Sequence, residues 1–208
     1  MFADRNEAGK LLSEKLTDLK GQNCLVLAIP RGGVVIGDQI ASELGCKIDI
    51  VISKKINPPN QPEYAIGAIM PDGTIHWNQD MSKYLEHPYF LKEINEKKNE
   101  AQKQLEKLRG NAHYDLAGKI IIITDDGIAT GATVFAILKW LEKNNPARII
   151  IASPVIPANT YEQLKKMSDR IVALLIPTTF YSVSEFYEKF NQVTEKEVES
   201  ILKKYRSV

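Results

Sequence analysis

The fold is decided by residues 120–133, which read IIIITDDGIATGAT. The four isoleucines are β-branched and apolar, a pattern typical of a strand that is buried on both faces. Two carboxylates, Asp125 and Asp126, follow where such a strand would end, and a short loop of small residues comes next. Apolar residues then recur at helical spacing from Val134 to Leu141. The segment therefore predicts a strand, an acid pair, a loop and a helix, in that order.

This order of residues suits a phosphorylated sugar. The backbone N–H groups and hydroxyls of the loop, with a helix N-terminus behind them, favour a phosphate. The two carboxylates can accept hydrogen bonds from vicinal hydroxyls or lie beside a hydrated cation. An ordinary turn capped by Asp126 is the alternative, but such a turn requires neither two acids nor Thr130-Gly131-Ala132-Thr133. The loop is not a Walker A loop, because no Gly-Lys-Ser/Thr follows.

The length suits one α/β domain, with or without a small subdomain, and the composition argues against several classes of partner. The chain has 208 residues, of which 44% are hydrophobic, and a formal net charge of +1. That charge argues against a broad nucleic-acid surface. No apolar run approaches the ~20 residues of a membrane helix, and residues 1–10 lack the apolar core of a signal peptide. We therefore expect no nucleic-acid or membrane partner and a cytoplasmic location.

Strands and helices alternate along most of the chain, which predicts a parallel sheet flanked by helices. Capping boxes at Asp4–Glu7 and Thr194–Glu197 predict the starts of two helices. Residues 54–64 contain three prolines and are predicted to be a loop, and Pro71-Asp72-Gly73 predicts a β-hairpin. The predicted strands cover residues 24–29, 48–52, 119–124, 147–152 and 170–176, and a charged helix is predicted over residues 88–109.

Pro30-Arg31-Gly32-Gly33 follows the first of these strands. Its glycines permit backbone angles that let amides converge on an anion, and the guanidinium of Arg31 suits phosphate oxygens. A tight turn with an exposed arginine is the alternative. Because the carboxyl ends of parallel strands lie at one edge, this loop, the Lys54 loop and the acid pair can meet there.

Residues 120–133 closely resemble the signature of type I phosphoribosyltransferases, which bind 5-phosphoribosyl-1-pyrophosphate (PRPP). Seven segments in order resemble a widespread group of these enzymes whose base specificity is unassigned: residues 2–5, 30–33, 54–55, 62–63, 65–68, 125–133 and 154–155. The resemblance covers most of the chain. It implies one phosphoribosyltransferase-like domain over residues 1–208, a parallel sheet with flanking helices, an insertion at about 77–118, and a small C-terminal hood at about 177–208.

The resemblance also implies a function in nucleotide metabolism. The expected reaction transfers the 5-phosphoribosyl group of PRPP to a nitrogenous base or related nitrogen nucleophile and releases pyrophosphate. The expected PRPP-binding residues are Arg31, Gly32, Gly33, Asp125, Asp126, Gly127, Ile128, Ala129, Thr130, Gly131, Ala132 and Thr133. Mg²⁺ is expected as the cofactor, carried by PRPP near the acid pair, with no direct protein ligand. The expected catalytic residues are Lys54, Lys55 and Glu63, which could instead belong to a solvated loop.

The acceptor and the chemistry stay open at this point. Members that act on hypoxanthine and guanine carry Asp where this chain has Ala129, whereas adenine and orotate enzymes also carry Ala. Two other classes of function fit the same motifs: a PRPP- or nucleotide-sensing regulator without catalysis, and a hydrolase of PRPP or nucleotides. A homodimer is compatible with the sequence.

Overall fold

The computed structural model describes residues 1–58, 65–78 and 88–206. The strands are β1 Cys24–Ala28, β2 Lys47–Ile50, β3 Lys54–Ile56, β4 Gly67–Ile69, β5 Ile75–Trp77, β6 Ile120–Thr124, β7 Arg148–Val155 and β8 Arg170–Leu175. The α-helices are α1 Arg5–Glu14, α2 Gly32–Leu44, α3 Pro88–Arg109, α4 Ala132–Leu141, α5 Ala158–Leu164 and α6 Glu195–Arg206.

The chain forms two compact units. The first comprises Met1–Val51, Leu116–Thr130 and Asn145–Val208, and the second comprises Ile52–Asp115 and Gly131–Asn144. The predicted single domain, with its insertion at about 77–118 and its hood from about 177, stays a prediction.

The first unit contains a five-stranded sheet in the order β2-β1-β6-β7-β8, in which every neighbouring pair is parallel. β6 lies in the middle of this sheet and all five of its residues are buried. A strand covered on both faces has to be apolar at every position, which is why the isoleucine run of residues 120–123 forms it. The predicted α/β fold with a parallel sheet and flanking helices is confirmed.

Local sequence signals set the helix boundaries of this unit. The Asp4 carboxylate accepts hydrogen bonds from the N–H groups of Asn6 and Glu7 at 2.8 and 3.0 Å, so α1 begins there. Helix α2 ends at Gly45, whose φ of 65° lies in the left-handed region. At α6 the Glu197 N–H donates to Thr194 Oγ1 and the Thr194 N–H donates to Glu197 Oε2, at 3.2 and 2.6 Å. Both predicted helix starts are confirmed.

The second unit contains an antiparallel sheet in the order β3-β4-β5, together with α3 and α4. The predicted hairpin and the predicted helix over residues 88–109 are confirmed. The loop predicted for residues 54–64 is wrong at its start, because Lys54–Ile56 forms β3 and pairs with β4. Ile56 is fully buried in a cluster with Ile69 and Phe90, so burial outweighs the polar, proline-rich local sequence.

No helix in the described ranges is both long enough and apolar enough to cross a membrane.

Candidate functional site

The strand order of the first unit reverses direction between β1 and β6. The chain goes from β1 to β2 on one side and from β6 through β7 to β8 on the other. In open parallel sheets, ligands bind at such a reversal, outside the carboxyl ends of the strands. Ala28 and Thr124, the last residues of β1 and β6, are register partners, and the Ile29 N–H donates to the Thr124 carbonyl at 2.9 Å. The loops that follow therefore leave the sheet side by side.

The two glycines of the first loop lie directly against the acid pair. A methyl group added to Gly33 would stand 2.7 Å from the Thr124 carbonyl oxygen and 2.9 Å from the Asp125 Cα. A methyl group added to Gly32 would overlap the Asp126 carboxylate. The glycines are therefore required by close approach, which is a reason additional to the anion-binding amides predicted from the sequence. Arg31, which precedes α2, is half-buried, and the Pro30–Arg31 peptide bond is cis.

Asp126 is held from two sides by residues distant in the sequence. Arg5 Nε donates to Asp126 Oδ2 at 2.6 Å, and the two side chains are only 11% and 15% exposed. The Tyr187 hydroxyl donates to the Asp126 backbone oxygen, also at 2.6 Å. Burial, and then the nearby charge of Asp126, raises the pKa of the Tyr187 phenol above its usual range. The phenol therefore stays protonated and remains a donor.

The N-terminus and the C-terminal tail are joined beside this aspartate. The Phe2 N–H donates to the Phe186 carbonyl and the Glu188 N–H donates to the Phe2 carbonyl, both at 2.8 Å. The Phe190 ring centroid lies 3.8 Å from the Arg5 Cζ, and Arg5 Nη1 donates to the Asn191 carbonyl at 2.7 Å. Arg5 is thus fixed on three sides.

The loop after the acid pair is fixed by the neighbouring strand and by the tail. A methyl group on Gly127 would collide with Val183. The Ile128 N–H donates to the Val155 carbonyl at 3.0 Å, and the buried Thr160 hydroxyl donates to the Ala129 carbonyl at 2.7 Å. Residues 127–129 therefore have little freedom to move when a ligand binds.

Thr130 ends this part of the loop and is exposed. Gly131, Ala132 and Thr133 continue into α4, which is counted with the second unit. Gly131 precedes the helix with a φ of 78° and, as a glycine, has no side chain that could cap the first turn of α4. Uncapped N–H groups at a helix start suit an anion such as a phosphate.

A cleft of about 510 Å³ lies beside the loop in the first unit. It is lined by Ala129, Thr130, Pro157, Asn159, Thr160, Thr178, Phe180 and Tyr181. The Phe180 ring is stacked near the Phe186 ring, with centroids 5.8 Å apart, and Tyr181 is 80% exposed. The volume and the aromatic lining suit a small planar molecule.

The structure describes two of the three expected catalytic residues. Lys54 and Lys55 are both in β3 of the second unit, where Lys54 is half-buried and Lys55 is exposed. Successive side chains of a strand point to opposite faces, so these two lysines do not share a face. Glu63 lies outside the described residues. The structure thus brings Gly32 and Gly33 against Asp125 and Asp126, and the catalytic roles stay predictions.

The sequence assigned no role beside the acid pair to Arg5, Tyr187 or Phe190, although residues 2–5 resemble the family and the other two lie in the predicted hood. One signal could have identified Arg5: it occupies the first position of α1, where a positive charge opposes the helix dipole. A cation at that position is expected to have an anionic partner elsewhere in the fold. Tyr187 and Phe190 carried no comparable local signal.

Comparison with known proteins supports the family predicted from residues 120–133. The family model described as "Phosphoribosyl transferase domain" matches residues 4–191. The crystal structure of TT1426 from Thermus thermophilus is similar, with 33% identity, a TM-score of 0.81 and coverage of 98% of both chains. Purine phosphoribosyltransferase from Pyrococcus horikoshii shares the fold at 16% identity and a TM-score of 0.51, with coverage of 91% of this chain and 92% of that one.

Two curated Mycobacterium tuberculosis proteins, each named "Putative phosphoribosyl transferase", are 33% identical over 205 residues. The match covers 97% of this chain and 46% of each relative, so the chain spans about half the length of the curated relatives it matches. With the family model covering most of its length, the chain belongs to the type I phosphoribosyltransferase family.

Proposed function

We propose that this protein transfers the 5-phosphoribosyl group of PRPP to a nitrogen nucleophile and releases pyrophosphate. The observation that carries the proposal is the packing of Gly32 and Gly33 against Asp125 and Asp126, at the point where the strand order reverses. A backbone loop that suits a diphosphate thereby lies next to two carboxylates that suit sugar hydroxyls. In the reaction the bond from the anomeric carbon to pyrophosphate breaks, a bond to nitrogen forms, and the nitrogen loses a proton.

Each part of PRPP has a candidate set of residues. Thr130 would hold the 5′-phosphate, and the acid pair would hold the ribose hydroxyls. The amides of the loop 31–33 would hold the pyrophosphate. Because hydrogen bonds already hold the Ile128 N–H and the Ala129 carbonyl, binding needs little reorganisation of this part of the loop.

The residues present fit a cation that arrives with its ligand. Among the described residues, no group of three or more His, Cys, Asp or Glu side chains lies together as a metal site would require. Asp125 and Asp126 supply two carboxylates, and one of these already pairs with Arg5. Mg²⁺ carried by PRPP would offset charge on the departing pyrophosphate.

We propose the cleft beside Ala129 as the site of the acceptor. It adjoins the loop that would hold the 5′-phosphate, it offers the Phe180 ring for stacking, and it offers Asn159 and Thr178 for hydrogen bonds. A planar nitrogen heterocycle has both an aromatic face and polar edges. This assignment names a class of acceptor and leaves the particular base open.

We also keep Lys54, Lys55 and Glu63 as proposed catalytic residues. A lysine would stabilise negative charge as the pyrophosphate leaves, and Glu63 would accept a proton. The two lysines lie on opposite faces of β3, so at most one of them is expected to reach the pyrophosphate. Single variants of Lys54 and Lys55 therefore show which lysine contributes to catalysis. A transition-state role predicts that one single variant lowers kcat, whereas a role in uniform binding would raise only the KM for PRPP.

The proposal is tested by titration calorimetry with PRPP and Mg²⁺, followed by measurement of pyrophosphate release over a panel of bases. We expect the unaltered protein to bind PRPP, and the pair Asp125→Asn, Asp126→Asn to bind on the order of tenfold or more weakly, because asparagine loses the anionic acceptors. Asp18→Asn is the control, since Asp18 pairs with Arg170 at the start of β8, away from the carboxyl ends of the strands.

Unchanged affinity in the double variant would refute the role of the acid pair. Binding without turnover over the whole panel would support a PRPP sensor in place of an enzyme. Pyrophosphate release that needs no base would support a hydrolase.

A further inference from the structure

Arg5 carries a buried positive charge that none of the proposed PRPP contacts uses. It occupies the first position of α1, where the helix dipole disfavours a cation. Burial of a charged pair also carries a desolvation cost, so its side chain is expected to have a specific task. Arg5 contacts the Asp126 carboxylate, the Asn191 carbonyl and the face of Phe190.

The geometry of Asp126 indicates what that task is. Oδ2 accepts the hydrogen bond from Arg5 Nε at 2.6 Å, and the carbonyl of the same residue accepts from Tyr187. Oδ1 has no hydrogen-bond partner within the ranges the structure describes, and the side chain is 15% exposed. One oxygen is therefore anchored while the other stays available to a ligand.

We infer that Arg5 is a positioning residue for the sugar: it anchors Asp126 by Oδ2 so that Oδ1 accepts a hydrogen bond from a ribose hydroxyl. This inference rests on the proposed function. A carboxylate that already has one orientation loses no rotational freedom when the sugar binds, so affinity is higher than for a mobile carboxylate. Phe190 and Asn191 hold Arg5, which makes the C-terminal tail an indirect part of the ribose site.

If Arg5 acts only on the sugar site, its loss should weaken binding of the sugar and leave binding of the diphosphate unchanged. Calorimetry on the full chain would measure the Kd of ribose 5-phosphate, of PRPP with Mg²⁺, and of inorganic pyrophosphate with Mg²⁺, each alongside a thermal unfolding curve. We expect Arg5→Gln to weaken ribose 5-phosphate and PRPP about tenfold, which is ~1.4 kcal/mol. We expect pyrophosphate binding to be unchanged.

Two further variants keep the test informative. Arg5→Lys retains the charge but cannot bond both Asp126 and Asn191 through a planar fork, so it should restore only part of the affinity for the sugar. Phe190→Leu keeps the arginine and removes its aromatic contact, so a smaller loss, about threefold, is expected even if Arg5→Gln does not fold. Arg170→Gln is the control, because it removes another arginine–aspartate pair of the same unit.

Three results would overturn the inference alone. Unchanged binding of ribose 5-phosphate in Arg5→Gln would show that Asp126 needs no anchor. An equal loss for pyrophosphate would show that Arg5 contacts phosphate or supports the fold in general. Tighter binding of ribose 5-phosphate would show that Arg5 competes with the sugar for Asp126. If the unaltered protein binds neither PRPP nor ribose 5-phosphate, the proposed function fails and the inference fails with it.

Discussion

Replacing Gly33 by alanine would place a methyl group where the structure has backbone. The new carbon would stand 2.7 Å from the Thr124 carbonyl oxygen and 2.9 Å from the Asp125 Cα, closer than the 3.0 Å that such carbons normally keep. Neither neighbour can rotate away, because both are backbone atoms at the end of a central strand. The Thr124 carbonyl is also held by the Ile29 N–H at 2.9 Å. The start of α2 and the end of β6 would have to separate.

The cost follows from these contacts. Overpacking of this kind destabilises proteins by ~1–3 kcal/mol. Gly33 lies in the first turn of α2, so the gain in helix propensity from alanine is well below the ~1 kcal/mol of a helix interior. We expect a net loss of ~1–2 kcal/mol and a Tm lower by roughly 2–8 °C for a chain of this size. We also expect PRPP affinity to fall roughly tenfold, since the same shift moves Asp125.

Gly37→Ala is the matched control in the same helix. Its methyl group would meet the terminal Cδ1 of Ile48 at 2.7 Å, an atom that can move by rotation of its side chain. Its other near neighbours, Ala28 Cβ and Val26 Cγ1, are both 3.2 Å away, so they need to move by only a few tenths of an ångström. Gly37 lies in the helix interior, where alanine adds up to ~1 kcal/mol. We expect stability within about 1 kcal/mol of the unaltered protein and unchanged PRPP affinity. The assays are denaturant unfolding and calorimetry.

Gly33→Ala with unaltered stability and unaltered PRPP affinity would refute the argument from close approach. Equal losses in both glycine variants would show that the effect belongs to the helix and not to its contact with the acid pair.

Two further predictions concern side chains around the site. Tyr187→Phe removes the donor to the Asp126 carbonyl and keeps the ring, so we expect a loss of ~1 kcal/mol in denaturant unfolding. Burial raises the pKa of Tyr187 in the folded protein, so its contribution to stability is complete below the ordinary tyrosine pKa of about 10 and falls as the pH rises above that value. Tyr187→Phe should therefore lose less stability than the unaltered protein as the pH rises above about 10. An equal loss in both proteins would show that burial does not protect the phenol. The Thr124 hydroxyl is fully buried and, within the described residues, has no hydrogen-bond partner. Thr124→Val should therefore raise stability by ~1 kcal/mol, and a lower Tm would show that the hydroxyl is bonded in solution.

The sequence predicted those parts of the structure whose causes are local. The isoleucine run of β6 and the capping boxes of α1 and α6 each act within a few residues, so their patterns can be recognised without the fold. The position of β3 could not be recognised in this way. It depends on pairing with β4 and on burial of Ile56 against Ile69 and Phe90, which are contacts between separate segments.

The same distinction divides the candidate site. Residues 30–33 and 125–129 each follow a buried strand, so strand order alone places the acid pair and the glycine loop together. The pair between Arg5 and Asp126 spans 121 positions, and the bond from Arg5 to Asn191 spans 186. No local sequence pattern predicts contacts between residues so far apart in the chain. They become visible only in the folded protein, where the N-terminus pairs with the tail.

The tail consequently has two tasks within one short segment. Phe180 lines the cleft that we propose for the acceptor, while Tyr187 bonds the Asp126 carbonyl and Phe190 supports Arg5. These residues belong to a single stretch whose rings contact one another, since Phe180 stacks near Phe186 and Tyr187 lies 5.0 Å from Phe190. If the tail moves to admit a different acceptor, it also moves Arg5, which anchors the Asp126 carboxylate proposed to bind the ribose. We therefore expect acceptor choice and sugar affinity to change together when this segment is altered, although the two ligands contact different residues.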